Sequence, residues 1–153
     1  MNQSRYVSRR LDTIDRDIIT ALTEDGRMTV RELAAKIGLS SPSITERILK
    51  LKDAGAIRGY TVLIDTNVFG LHIAAHVQLC AMPGEVKRLE QLLIETPEVV
   101  EADRVTGKDC FFAKVMASDV QALQTVVDRF IPFSSTHTAI VQSSTVKRRL
   151  PRL

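Results

Sequence analysis

Residues Met28 to Tyr60 read MTVRELAAKIGLSSPSITERILKLKDAGAIRGY, and the punctuation of this stretch decides the first half of the fold. Thr29 and Glu32 stand as a T-x-x-E capping box, in which each side chain satisfies an orphan backbone N–H at a helix start. Val30, Leu33, Ala34 and Ile37 follow at spacings of three and four, so one stripe of that helix is apolar and needs a partner. Gly38 suits the left-handed conformation that ends a helix, with Leu39 folding back over it. Ser41-Pro42 reads as the restart: Ser41 as N-cap and Pro42 at the first helical position, where a missing N–H costs nothing. Ile44, Ile48 and Leu51 continue the buried face of this second helix, which Gly55 closes. Its other face carries Ser43, Thr45, Glu46, Arg47, Lys50 and Lys52. Two helices separated by three or four residues form a helix-turn-helix, a build that sets one helix into the DNA major groove.

Upstream, Leu11 to Asp25 reads as a third helix, with Asp12 as N-cap, Ile14, Ile18, Ile19 and Leu22 as its stripe, and Asp25-Gly26 as its stop. Three short amphipathic helices can cover one another's apolar faces, which two do poorly. Residues 1–60 are therefore expected to form a complete all-α, winged-type helix-turn-helix domain. Ile57 to Ile64 reads as a strand leaving it, so that residues 61–71 form a strand linker.

Composition bounds the rest. At 153 residues the chain has room for one domain or two small ones, and 44% hydrophobic with 25% charged residues is ordinary globular composition. No apolar run approaches the roughly 18 residues of a membrane span, and the N-terminus is polar and basic rather than a signal peptide, so no membrane partner is expected. Cys80 and Cys110 make no metal-type pair and need not form a disulfide, which fits a reducing cytoplasm. The net charge of +3 hides a split: residues 1–60 hold 11 Lys/Arg and 8 Asp/Glu, residues 61–146 hold 6 and 10, and residues 147–153, KRRLPRL, add 4 cations and no anion. A basic N-terminal third beside an acidic remainder suits one nucleic-acid face and one other task. The basic tail reads as a solvated end that could add phosphate contacts.

From residue 72 to 146 the pattern is mixed. His72 to Met82 alternates as a strand, Glu85 to Glu95 is a helix stopped by Thr96-Pro97, and Val99 to Val105 and Cys110 to Met116 are strands joined by Thr106-Gly107-Lys108-Asp109. Ser118 with Gln121 reads as a capping box opening a helix that Pro132 ends, and Thr136 to Ser144 is a final strand. Strand, helix, strand, strand, helix, strand with right-handed crossovers is a ferredoxin-like βαββαβ domain, so the fold class is α+β. Its second sheet face, with Ala74, His76, Gln78 and Cys80, is too mixed to face water alone, and a two-fold homodimer is expected. Such a dimer would set two recognition helices about 34 Å apart, one turn of DNA.

The combination resembles the Lrp/AsnC family of feast/famine transcription regulators. IDRDII, DGRMT, ELA, IGLS and G-x-I-x-G-Y fall in family order and spacing, followed by GYTVLID and, between the second and third strands, VTGKD. The likeness spans Leu11 to Ser144. It implies a sequence-specific regulator binding double-stranded DNA in the cytoplasm, with dimers that assemble into octamers. It also implies a C-terminal half that senses a small effector, an amino acid, at contacts between dimers. The DNA-facing set it implies is Ser41, Pro42, Ser43, Thr45, Arg47 and Lys50, to which the charge on the same face adds Lys52. Chemically, Ser43 and Thr45 suit phosphate or base-edge hydrogen bonds, Arg47 a bidentate contact to guanine, and Lys50 and Lys52 phosphates. The implied effector loop is Thr106, Gly107, Lys108 and Asp109. There Asp109 would pair with the effector's ammonium, and backbone N–H groups around Gly107 would take its carboxylate. Ser134, Ser135, Thr136 and Thr138 are supplementary hydroxyls. The acidic residue that many members carry three positions after the glycine is Cys110 here, with Asp109 one position earlier.

Two other readings compete with this one. Some haem-biosynthesis decarboxylases resemble this family across the fold with a degenerate helix-turn-helix, and His72, His76 and His137 with Arg104 would be their acid–base or tetrapyrrole contacts. The cations and hydroxyls of the second helix argue against an enzyme, as does the lack of a paired nucleophile and base, and no cofactor is implied. A metal-responsive regulator would use His72, His76, Cys80 and His137, but residues four apart on a strand lie about 13 Å apart, too far for one ion. No metal site is expected.

Overall fold

The computed structural model describes residues 11–107, 111–146 and 149. They divide into two compact units, with the break between Leu63 and Ile64. The basic tail lies outside the described residues except for Arg149.

In the first unit, α1 (Thr13–Glu24), α2 (Val30–Ile37) and α3 (Ser41–Asp53) bury Ile18, Ala21, Leu33, Ala34, Ile44 and Leu51 against one another. Ile18 and Ile44 are fully buried, and each contributes about 2 kcal/mol of transfer free energy. α1 opens on a reciprocal box: Asp12 accepts from the Asp15 N–H at 2.8 Å, and the Asp15 carboxylate accepts from the Asp12 N–H at 3.4 Å. α2 opens on the Thr29–Glu32 box, where the Thr29 N–H donates to Glu32 at 2.7 Å and holds that carboxyl below its ordinary value. Gly38 ends α2 in the left-handed region at φ 79°, where a side chain would be strained. The restart falls one residue earlier than expected. Ser40, not Ser41, is the N-cap of α3, its Oγ accepting from the Ser43 N–H at 3.4 Å, and Ser41 and Pro42 are the first two helical residues. Proline is tolerated there for the same reason, because first-turn N–H groups have no intrahelical acceptor.

α3 is tied to α1 by charge as well as by packing. Arg47 Nη1 donates to Asp12 Oδ2 and to Asp15 Oδ1, each at 2.7 Å. The two carboxylates that cap α1 thus also grip α3. Asp15 is a buried charge, only 6% exposed, and the guanidinium is what compensates it.

The expected strand from Ile57 to Ile64 does not form. Among the described residues this stretch has no ladder partner, and Thr66–Phe69 is instead one turn of 3-10 helix capped by Asp65. A strand exists only where a second strand takes up its N–H and C=O groups, and none pairs with it among the described residues. Tyr60, Val62, Leu63 and Ile64 are left exposed.

The second unit contains β1 (Ile73–Ala81), α4 (Val86–Glu95), β2 (Val99–Arg104), β3 (Phe111–Ala117), α5 (Val120–Asp128) and β4 (Ser134–Ile140). The strands lie in the order β2-β3-β1-β4, all neighbours antiparallel, which is the ferredoxin-like arrangement. Ala75, Val77 and Leu79 of β1 share a face with Val115, Ala113 and Phe111 of β3. Over that face α4 lays Leu89 and Leu93, and α5 lays Leu123, Val126 and Val127, with Phe130 just beyond it. The cap of α5 is Asp119 rather than Ser118: its carboxylate accepts from the Ala122 N–H at 2.8 Å, a bond that holds its pKa below the ordinary value. The negative charge of Asp119 also meets the positive end of the helix. β4 starts at Ser134, two residues before the expected Thr136, because Ser134 still pairs with Ala81. It ends at Ile140, opposite Ala75, with the Val141 N–H still donating to the Ala74 carbonyl at 2.8 Å.

The ion triad gives a direct test. Thermal unfolding of full-length Arg47→Ala is expected to show the first unit destabilised by about 2 kcal/mol, since Asp15 loses the charged donor that offsets its burial. An Arg47→Ala protein that melts like the wild type would mean that the clamp holds nothing.

Candidate nucleic-acid interface

The outward side of α3 follows from its buried side. Ile44 and Leu51 face the core, so Pro42, Thr45, Glu46, Leu49 and Lys50 come round to solvent, and all five are exposed. Ser41 and Lys52 flank them and are also exposed, while Ser43 is half-buried.

Several side chains that suit DNA chemistry are already engaged within the helix. Thr45 Oγ1 donates to the Ser41 carbonyl at 2.9 Å, so its hydroxyl turns back along the helix. Ser43 Oγ lies 2.8 Å from Ser40 Oγ as part of the N-cap. Lys50 pairs with Glu46 one turn earlier, which holds the Glu46 carboxyl below its ordinary value. Both partners are exposed, so this pair is weak and readily exchanged. Lys52 sits over the Tyr60 ring, 5.3 Å from its centroid.

Arg47 is placed otherwise than the guanine-contact expectation. Its hydrogen bonds to Asp12 and then Asp15 raise its already high pKa and turn its guanidinium toward α1. Leu49 is the residue that stripe reasoning missed. It is 54% exposed, three residues after Glu46 and four after Thr45. The signal was present: a leucine outside the Ile44, Ile48, Leu51 stripe of a short helix has no core position to fill.

In the second unit the described residues of the expected effector site lie at two different edges of the sheet. Thr106 and Gly107 follow β2 at one edge of the sheet, both exposed, with Gly107 at φ 116°. Lys108, Asp109 and Cys110 lie outside the described residues. Thr136 and Thr138 belong to β4 at the opposite edge, opposite Leu79 and Val77. Three strand spacings, about 14 Å, separate the two edges. Ser134 is not available: it is 2% exposed and its hydroxyl donates to the Phe130 carbonyl at 2.9 Å, closing the turn after α5. Ser135 faces the other side of the sheet, opposite Cys80.

That other side carries no helix of the unit. His76 and Gln78 on β1 face Lys114 and Phe112 on β3 and Ala139 and His137 on β4. Among the described residues no three His, Cys, Asp or Glu side chains converge to hold a metal ion. His72 instead lies 3.3 Å from the Asn67 side chain. No helix among the described residues is long and apolar enough to cross a membrane.

Comparison with known proteins agrees with this division. Residues 11–58 match the winged helix-turn-helix DNA-binding model, and residues 75–151 match the Lrp/AsnC ligand binding domain. The HTH-type transcriptional regulator LrpC of Bacillus subtilis is 31% identical over 134 residues, covering 88% of this chain and 93% of LrpC. Its solved structure superposes with a TM-score of 0.86 at 30% identity, over 91% of this chain and 99% of that one. Escherichia coli AsnC gives 0.82 at 30% identity, over 91% and 97%. A Neisseria meningitidis regulator, NMB0573, solved in complex with L-Met, gives 0.85 over 92% and 96%, and at 23% identity that likeness speaks to fold alone. With a DNA-binding helix-turn-helix, a ligand-binding ferredoxin-like half and relatives named as transcriptional regulators, the chain belongs to the Lrp/AsnC family and is a DNA-binding regulator rather than an enzyme.

Proposed function

We propose that the protein acts in the cytoplasm as a dimer whose two α3 helices enter successive major grooves, and that an amino acid bound to the second unit alters this contact. The observation that carries the reading is the outward side of α3, capped by Ser40 and bearing exposed Ser41, Pro42, Thr45, Leu49, Lys50 and Lys52. The helix N-terminus offers the Ser41 backbone N–H and the positive end of the helix dipole to a phosphate. Lys52 and the exchangeable Lys50 supply phosphate charge, and Arg47 acts by holding α3 at its angle to α1.

For the effector, support comes from the ligand-binding match and from the amino acid held by the Neisseria protein. Thr106, Gly107, Lys108 and Asp109 are proposed to take its charged ends, with Asp109 on the ammonium. Because Thr136 and Thr138 sit at the far edge of the sheet, the complete site needs the loop of one copy and β4 of another. That requirement links effector binding to assembly, including the step from dimers to octamers. The helix-free sheet face, with Phe112 at 38% exposure beside Gln78, is the proposed dimer contact.

Fluorescence polarisation with the protein's own upstream DNA tests the reading directly. Lys52→Ala is expected to weaken all sequences alike and to lower the slope of log K against log salt by about one; a loss confined to one sequence would contradict the phosphate role. In a thermal-shift screen of the twenty amino acids, at least one is expected to raise the melting temperature of the wild type and to have no effect on Asp109→Ala. Stabilisation that survives in Asp109→Ala would remove that residue from the site. Phe112→Asp is expected to sediment as a monomer, and an unchanged sedimentation coefficient would place the dimer contact elsewhere.

A further inference from the structure

We propose that α3 discriminates among sequences chiefly through thymine methyl groups, read by an apolar strip of Pro42, Thr45 and Leu49. The inference rests on the reading of α3 as the helix that enters the groove. Pro42, Thr45 and Leu49 stand three and then four residues apart, so they form one line along the outward side of the helix, away from Ile44 and Leu51. Pro42 and Thr45 are exposed and Leu49 is 54% exposed.

The polar groups that would compete for readout are engaged. Arg47, the one arginine of α3, is held between Asp12 and Asp15 and would leave a buried carboxylate behind if it reached for guanine. The hydroxyl of Thr45 is bonded to the Ser41 carbonyl, so its methyl is the group left to face outward. Lys50, in its weak and exchangeable pair with Glu46, goes to phosphate. What the line of Pro42, Thr45 and Leu49 itself presents to the base edges is hydrocarbon.

The major-groove edge offers one apolar group, the thymine C5-methyl. Leu49 against a cytosine amino group or a guanine O6 and N7 would bury those polar atoms without partners. Against a thymine methyl it removes apolar surface from water on both sides. The strip therefore rejects G·C pairs at the positions it covers and accepts thymine.

The test changes the DNA and leaves the protein intact. Full-length protein selects its preferred duplex from a random library, and that duplex is then made with deoxyuridine replacing each thymine in turn. The change deletes the methyl and leaves hydrogen-bonding edges and phosphates as they were. The wild type is expected to lose about fourfold in affinity at each contacted thymine, the worth of one buried methyl-sized group. Leu49→Ala is expected to bind the thymine duplex more weakly and to be indifferent to deoxyuridine at one of those positions, while Leu49→Met keeps the penalty. Equal binding of thymine and deoxyuridine duplexes by the wild type would overturn the proposal, as would a Leu49→Ala protein as methyl-sensitive as the wild type. Either result would leave α3 as the reading helix. A library that yields no preferred sequence would overturn that broader reading, and this proposal with it.

Discussion

A carboxylate on the first turn of α1 is almost out of water, and one guanidinium thirty-two residues later in the chain makes that position tenable. Asp15 and Asp12 cap each other's backbone, and both then accept from Arg47 on α3. Packing alone leaves two short helices some freedom to slide and rotate, because apolar contact is non-directional. Charge-assisted hydrogen bonds at fixed length remove that freedom. If α3 is the reading helix, as proposed, its angle is the angle at which bases are approached, and the triad bears on recognition without touching DNA.

The same triad determines what α3 has left to offer. With its arginine turned inward, the helix presents weakly paired lysine, a helix N-terminus and an apolar strip. On the proposed reading affinity and sequence choice divide: charge and dipole meet the phosphates, while Leu49 and its neighbours meet the base edges. The second unit divides its work by position rather than by charge. Its helices cover one sheet face, its other face is open for a proposed second copy, and its loop and hydroxyl groups sit on opposite edges. A ligand site assembled from opposite edges of two copies, as proposed, would be a sensor of assembly.

Much of the fold was legible because it rests on local rules. The Thr29–Glu32 box, the glycine stop at Gly38 and the Asp12 cap depend only on residues within one turn. Period-two alternation in Ile73–Ala81 and the strand–helix order sufficed for the ferredoxin-like half. Errors of one or two residues arose where neighbouring residues both offer a capping oxygen: Ser40 and Ser41, or Ser118 and Asp119. The linker failed for a different reason. Tyr60 to Ile64 has strand composition, but a strand is a relation between two segments, and composition does not supply the second.

The candidate site separated in the same way. The sequence by itself determined the helix-turn-helix, its caps, the charge split between the halves and the family, since each is a matter of residue type at short spacing. Only the tertiary structure decided that Arg47 faces α1, that Ser134 is closed into a turn and that the hydroxyls of β4 lie across the sheet from Gly107. A side chain's chemistry is written in its identity, but its availability depends on which partner reaches it first. For Arg47 that partner is Asp15, which lies thirty-two residues earlier and becomes its neighbour only when the three helices close on one core.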